Sequence, residues 1–494
     1  MSLLSYSIRN QQNPRNNGNR ITFGLPAETC NYKVQPLRIP IHEGTDRIEL
    51  SADLYVPLLL KDNKPAGTVL VRGPYGRGFL FATLLARIYA ARGHQILYIS
   101  SRGTFGSGGE FDPFRTEVED GKAVVEWMRK QPWYTGTFAT LGASYLGFTQ
   151  WALLMDPPFD MVAAIISVGP HDFQRSLWET GSMSMDWIEW TGMILNQGKP
   201  YHMLKMIFQP KRFRSVQEGI PLAQTVEVAY KGKADWLQNW MKNPEPGSDC
   251  YAPMKLGQSL EKASIPILLI SGWYDLFADQ TFEQYFRLRE RGCNVALTVS
   301  KGSHNDAVGN AESISDTLAW LKEHLAHRNK VPREHSLRYY VTGAEEWRSA
   351  KEFPAAAKTY TLFLQDGGKL STETPVGGDQ YCSFVFDPRN PTPSMGGNKL
   401  GMDAGKVDDR ALAQRPDVTV FTTEPLLEDF EFIGRPNLTL SHTTDSTFAD
   451  LFVRISEVNE KGRSYNISEA YQRLSPQRET ESIDLLLSRS IKGC

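Results

Sequence analysis

The sequence predicts an α/β domain with a mostly parallel sheet, interrupted by a helical insertion and followed by an all-β domain. Three observations carry this. Short apolar runs (Val69–Val71, Ile96–Ile99, Ile267–Ile270) alternate with stretches of helical spacing, as buried parallel strands and their crossover helices do. Residues 171–255 are rich in Trp, Met and Gln and hold no strand-like run. From Arg338 onward, short alternating strands recur at roughly 8–12 residue intervals with turn residues between them, the pattern of a sandwich.

The elements follow in order. Tyr32 to Pro57 alternates around the turn-like Glu43-Gly44-Thr45-Asp46 and reads as an antiparallel hairpin. Gly67 to Arg72 is a buried strand running into Gly73-Pro74-Tyr75-Gly76. Phe79 to Arg92 has helical spacing and stops at Gly93. Ile96 to Ser100 is the next strand, followed by a glycine-rich loop. Glu117 to Lys130 is an amphipathic helix ended by Gln131-Pro132. Phe138 to Gly142 and Ile165 to Val168 are strands, as are Ile265–Ile270 and Val295–Val299 beyond the insertion. A helix over Asp316–Ala326 closes the α/β domain. Strands are then expected in LRYYVTG, TYTLFLQ, YCSFVF, VTVFTT, FEFIG, NLTLS and DLFVRISEV. The expected domains are a flexible tail at 1–30, an α/β domain at 31–170 and 256–333, a helical cap at 171–255 and a β-sandwich at 334–494.

Composition bounds the function. The 494 residues are 41% hydrophobic and 22% charged, close to soluble globular averages, which excludes disordered, collagenous and coiled-coil classes. With 54 basic against 56 acidic residues, no overall basic field exists for nucleic acid or anionic lipid. No stretch approaches the ~20 apolar residues of a membrane span. The five cysteines are scattered, with no C-x-x-C pair, which argues against a disulfide framework or a structural zinc. The N-terminal segment lacks the apolar core of a secretory signal. A cytoplasmic protein is expected, although an Arg-bearing segment free of acids until Glu28 also fits a transit peptide.

The sharpest chemical signal is Gly142-Ala143-Ser144-Tyr145-Leu146-Gly147, between a strand and a helix. A serine hydroxyl is a weak nucleophile and must be exposed on a strained turn, where the helix N-terminus aims amide donors at a forming oxyanion. The second glycine of the common G-x-S-x-G pattern is one place late here, at Gly147. A base and an orienting acid should follow in the order Ser, Asp, His. Asp275 in Ser271-Gly272-Trp273-Tyr274-Asp275 and His304 in Gly302-Ser303-His304 both follow strands. Asp279 and Asp306 are rivals for the acid, and His171 precedes every later acid. Tyr75 lies on the loop that supplies half of an oxyanion hole in this architecture, where a phenol can donate as an amide does. Arg102-Gly103-Thr104-Phe105-Gly106-Ser107-Gly108-Gly109 lacks the G-K-[ST] of a phosphate loop and reads as a long strand-end loop whose arginine pairs internally.

Together these residues resemble the cocaine esterase / X-Pro dipeptidyl-peptidase family of serine hydrolases, which includes α-amino acid ester hydrolases. Gly142 to Trp151, Gly272-Trp273-Tyr274-Asp275 and Gly302-Ser303-His304 carry the likeness. It extends to Asp120–Trp133, Phe386–Pro391 and Thr423–Leu426, over roughly residues 35 to 475. The resemblance implies an α/β-hydrolase domain, a helical cap and a C-terminal jelly roll. It implies a triad of Ser144, Asp275 and His304, an oxyanion hole from the Tyr75 hydroxyl and the Tyr145 amide, and an acyl pocket at Phe277, with Trp273 nearby. It implies no metal or cofactor. The expected reaction is hydrolysis of a small ester or a short peptide through an acyl-enzyme. Ester and X-Pro amide stay open: the latter needs buried carboxylates for a free α-amino group, for which Glu179, Asp186 and Glu189 are the candidates.

Two departures stand out. Ser100-Ser101-Arg102-Gly103 replaces the aspartate that relatives carry ahead of the Arg-Gly pair, so an internal ion pair is in doubt. The jelly roll reads as cut short, which leaves edges for a homo-oligomer partner to cover. The alternative function is a binding or scaffold protein with a disabled site and a β-domain ligand surface.

Overall fold

The structure, a computed structural model, describes residues 25–43, 46–59, 64–197, 210–326, 333, 335–353, 358–376, 381–446, 448–474, 481–487 and 489–493. Most of the expected N-terminal tail, the hairpin turn at 44–45 and Cys494 lie outside the described residues.

A ten-stranded sheet organises the α/β domain. Strands β1 (Asn31–Glu43) and β2 (Asp46–Leu58) form the antiparallel hairpin read from the sequence. Strands β3 (Thr68–Gly73), β4 (Gln95–Ser100), β5 (Phe138–Ala143), β6 (Met161–Ser167), β7 (Ile267–Tyr274) and β8 (Val295–Ser303) are parallel. Every residue of β3, β4, β5 and β7 is buried. Helices cover both faces of such a sheet, which is why these strands read as continuous apolar runs.

The chain leaves β3 for β4 on one side, while β5 and β6 continue on the other. The order therefore reverses between β3 and β5, and a crevice opens beyond the carboxyl ends of strands at such a point. Tyr75 follows β3 and Ser144 follows β5, so topology alone sets them side by side. The helical segment after Tyr75 is less regular than its spacing predicts: Phe79–Ala82 is α-helical, Thr83–Arg87 is π-helical and Ile88–Ala90 returns to α.

Within the insertion, helices Phe173–Trp178, Asp186–Asn196, Pro210–Gln217, Leu222–Tyr230 and Asp235–Lys242 form the cap. Its indole rings at Trp187, Trp190 and Trp240 are buried with Phe173 and Phe114.

The C-terminal region departs from the sequence reading in several places. VTVFTT forms no strand beyond an isolated bridge at Thr422, and strands not expected from the sequence follow at Glu481–Leu486 and Ser490–Gly493. LRYYVTG, expected to open the sandwich, contributes β9 (Leu337–Val341), which pairs in parallel with β8. With β10 (Glu346–Ala350) it completes the central sheet. Leu337, Tyr339 and Val341 are buried there, so the alternation that suggested a half-exposed sandwich strand belongs to a strand near the sheet edge. YCSFVF forms no strand: Tyr381 is 90% and Val385 83% exposed. The β-rich domain consists, among the described residues, of four antiparallel pairs. These are β11 (Phe363–Gln365) with β12 (Lys369–Ser371), β13 (Glu431–Gly434) with β18 (Ser490–Gly493), β14 (Asn437–His442) with β17 (Glu481–Leu486), and β15 (Asp450–Val458) with β16 (Ser464–Arg473). No helix among the described residues is long and apolar enough to cross a membrane.

Candidate active site

Ser144 sits at φ 60°, ψ −122°, directly between β5 and the helix Tyr145–Leu153. A side chain other than glycine adopts that backbone only when its surroundings enforce it, at a cost of about 1–3 kcal/mol. Here Ser144 N–H donates to Ser167 O at 2.9 Å, and Ser144 O accepts from Gly147 N–H at 2.8 Å and Phe148 N–H at 3.1 Å. The displaced second glycine has a packing reason. A Cβ on Gly147 would stand 2.6 Å from Gly169 Cα, where the helix crosses the strand-end loop after β6. Leu146, in the usual glycine place, fits because Gly142 and Gly73 both lack a side chain: a Cβ on either would come within 2.4 Å of Leu146.

Asp275 and His304 meet at the ends of neighbouring strands. A Cβ on Gly272 would lie 2.2 Å from Gly302 O, so glycine is required for the ends of β7 and β8 to close together. His304 Nδ1 lies 2.7 Å from Asp275 Oδ1, and Ser271 Oγ donates to Asp275 Oδ2 at 2.9 Å. Asp275 is fully buried and His304 nearly so. The helix that His304 opens, His304–Gly309, packs Ala307 against Ala143 and Val168, beside the elbow.

The rivals have other partners. Asp306 accepts from Ser303 N–H and Oγ–H and caps its own helix. Asp279 pairs with Arg435 of the β-domain at 2.9 Å. His171 Nδ1 is 3.1 Å from Gln284 Nε2.

Tyr75 lies with its hydroxyl within hydrogen-bonding reach of the Ser144 side chain and the Tyr145 backbone N–H. Burial pushes its pKa up, partly offset by the hydrogen bonds around it. Its loop is tied down by Arg77, which bonds Asp53 Oδ2 and Ser51 O at 3.1 Å and Ser51 Oγ at 2.8 Å and also reaches Ser100 Oγ. Tyr98 Oη–H donates to Gly76 O at 2.7 Å.

Tyr145 is anchored below the elbow: its hydroxyl donates to Glu117 Oε1 at 2.9 Å and accepts from Phe114 N–H at 2.9 Å. Burial raises the Glu117 pKa against the pull of Arg72. This network also answers the doubt about residues 100–103. Arg102 pairs with Asp120 on helix Glu117–Arg129 (3.1 and 2.5 Å), and Ser101 Oγ donates to Glu117 Oε1 at 3.1 Å. The ion pair survives with its acid supplied from elsewhere in the chain.

Phe277 packs edge-on against His304, with ring centroids 5.4 Å apart. Trp273 does not join it. Its Nε1–H donates to Tyr340 O at 2.7 Å and its ring stacks on Phe282 at 5.8 Å, so it is a core residue tying β7 to β9. Alternation along β7 turns Trp273 away from its neighbour Tyr274, whose hydroxyl reaches the β-domain.

The β-domain also touches the residues around Asp275, which the sequence did not reveal. Asn398 Nδ2–H donates to Asp275 O at 3.4 Å, Leu400 N–H to Asp186 Oδ1 at 3.1 Å, and Asn305 Nδ2–H to Leu400 O at 3.3 Å. Burial raises the pKa of Asp186 and of Glu189. Glu179 is at the surface, paired with Arg175 at 2.7 Å.

A strained serine between strand and helix and a buried Asp–His pair at the ends of neighbouring strands of the same sheet are the features of a serine hydrolase of the α/β-hydrolase fold. The chain belongs to the X-Pro dipeptidyl-peptidase (S15) family, whose model matches residues 44–306; that of the X-Pro dipeptidyl-peptidase C-terminal non-catalytic domain matches residues 329–484. It is 25% identical over 496 residues to a cocaine esterase from Rhodococcus sp. (strain MB1 Bresler), covering 91% of this chain and 84% of that protein. An α-amino acid ester hydrolase has a similar fold, with TM-score 0.75 and 18% identity, covering 98% of this chain and 90% of that one. So does an aminopeptidase from a marine sediment Thaumarchaeota archaeon, with TM-score 0.77 and 18% identity over 99% and 90%.

Proposed function

We propose that the chain hydrolyses small carboxylic esters through an acyl-enzyme on Ser144. His304 takes the serine proton as Ser144 Oγ attacks the carbonyl, then gives it to the departing alkoxide oxygen. Water attacks the acyl-enzyme with the same base, releasing the acid and restoring the serine. Asp275 holds the imidazole with its Nδ1–H toward the carboxylate and stabilises the imidazolium. The Tyr75 hydroxyl and the Tyr145 amide receive the tetrahedral oxyanion. The observation that carries this reading is the strained backbone of Ser144 at the end of β5, on the same sheet rim as the buried 2.7 Å Asp275–His304 bond.

An ester is favoured over an X-Pro amide by the likeness to a cocaine esterase; Asp186, one of the three acids considered for an α-ammonium, has partners within the chain. It accepts from Leu400 N–H and from Ser184 Oγ–H at 3.3 Å. A scaffold protein with a disabled site would have no use for the buried 2.7 Å Asp275–His304 bond. We assign the enzyme to the cytoplasm, in keeping with free thiols at Cys30, Cys250, Cys293 and Cys382, and to a homo-oligomer through its β-domain.

Ser144→Ala should abolish p-nitrophenyl ester hydrolysis and fluorophosphonate labelling, with a loss on the order of 10⁶ in kcat. Undiminished turnover would end the reading. Release of p-nitroaniline from Ala-Pro-p-nitroanilide faster than p-nitrophenol from the ester would reverse the ester assignment.

A further inference from the structure

Trp190 lies on the cap helix Asp186–Asn196, far in sequence from the elbow, yet its Nε1–H donates to the Tyr75 hydroxyl at 3.2 Å. An indole nitrogen can only donate, whereas a phenol can donate one proton and accept others. The bond therefore fixes the direction of the second one. Tyr75 accepts from Trp190 and cannot spend its own proton there, so that proton is left for whatever negative charge appears at Ser144. A hydroxyl that accepts a hydrogen bond also becomes a stronger donor, because successive bonds polarise one another.

The indole is held rigidly. Trp190 is 3% exposed. Its ring lies parallel to Tyr145 (6.1 Å between centroids, 6°) and to Phe114 (5.8 Å, 27°), and meets Trp187 edge-on at 5.6 Å. Phe114 is itself at φ 68° and supplies the N–H that anchors the Tyr145 hydroxyl. One cap side chain thus braces both oxyanion residues, Tyr75 through a hydrogen bond and Tyr145 through its ring face. The hydrogen bond from Trp190 also counts among the contacts that hold the Tyr75 phenol below where burial alone would push it.

We propose that Trp190 is a positioning residue of the oxyanion hole: its indole N–H orients the Tyr75 hydroxyl as a donor to the tetrahedral intermediate, coupling cap docking to catalysis. This rests on the Ser144–Tyr75 reading given above, and the test separates the two.

Trp190→Phe keeps an aromatic ring and removes the donor. It should lower kcat for a p-nitrophenyl ester about tenfold, the loss of one hydrogen bond felt in the transition state, with KM changed less than about twofold. Affinity for phenylboronic acid, which presents a tetrahedral oxyanion to the same donors, should fall by the same factor. In a Tyr75→Phe background, itself down on the order of 10²-fold, Trp190→Phe should add no further loss. Equal losses in both backgrounds would make Trp190 a packing residue and overturn the proposal, as would an unchanged kcat in Trp190→Phe. An unchanged kcat in Tyr75→Phe would instead remove the oxyanion reading itself. Should Trp190→Phe not fold, 3-benzothienylalanine at position 190 keeps the bicyclic shape without the N–H and gives the same readout.

Discussion

The central sheet and the β-rich C-terminal domain are both built from strands, but they bury them differently. Strands β3, β4, β5 and β7 are covered on both faces, whereas β14 alternates between exposed and half-buried residues along its length. Phe448 and Leu427 of the β-domain are 81% and 99% exposed, while apolar side chains of the parallel strands are almost wholly shielded. Full coverage makes strand ends rigid, so the residues just beyond them can hold catalytic geometry to fractions of an ångström. The β-domain reaches the same site through a few polar tethers instead: Tyr274 Oη–H to Asn466 O at 2.7 Å, Asn398 to Asp275, Leu400 to Asp186 and Arg435 to Asp279. The difference teaches that one half carries the candidate residues on covered strand ends, while the other touches them through polar contacts.

The largest expected effect lies at a sheet end. Asp275→Asn should reduce kcat on the order of 10⁴-fold, because the imidazole loses the partner that sets its tautomer. Steady-state ester kinetics read this directly, and a loss under tenfold would deny the sheet half its role. A buried side chain inside the β-domain should behave otherwise. Asn466, 1% exposed, accepts from Val407 N–H at 2.7 Å and donates to Gly405 O at 3.0 Å. Asn466→Ala should destabilise the β-domain by about 2 kcal/mol in urea melts, from two buried hydrogen bonds, while kcat falls only a few-fold. A kcat loss rivalling that of Asp275→Asn would erase the contrast between the halves.

The smallest effect probes how the sheet half is stapled. Burial alone would raise the Asp160 carboxyl, but hydrogen bonds from Arg129 (2.9 and 2.6 Å) and Tyr134 (2.6 Å) outweigh it and hold its pKa below the ordinary value. A depressed carboxylate contributes stability that is present above its unfolded pKa and is lost as pH falls through its folded one. Asp160→Asn should therefore lower Tm at pH 7, and the gap to the parent protein should narrow as pH drops below the ordinary aspartate range. A gap constant from pH 7 to pH 3 would contradict the assignment.

Legibility followed the range of the interactions. The turn at Ser144 and the strand-end positions of Asp275 and His304 could be read because each is a local pattern: a buried run, then a turn, then the candidate side chain. The departure at Gly147 was visible too, though its reason, contact with Gly169, was not. Trp190, Glu117 and Asn398 were missed because nothing near them in the chain marks them. A tryptophan in a helical, Trp-rich stretch reads as core, and Glu117 reads as an acidic first turn. Trp273 was misplaced because closeness to Asp275 along the chain says nothing of where an indole packs: its ring stacks on Phe282 and its N–H is taken by Tyr340 O. The strand at Leu337–Val341 shows the same limit: its alternation was legible, its pairing partner was not.

Sequence by itself determined the buried parallel strands, the helical cap and which side chains could act as nucleophile, base and acid. These follow from apolar periodicity and from local turn chemistry, which act over a few residues. Only the tertiary structure decided that an indole from the cap donates to Tyr75, that Asp120 pairs with Arg102 and that a β-domain loop lies against Asp275. Contacts between residues tens to hundreds of positions apart depend on how layers stack, and that stacking leaves no periodic trace in the chain.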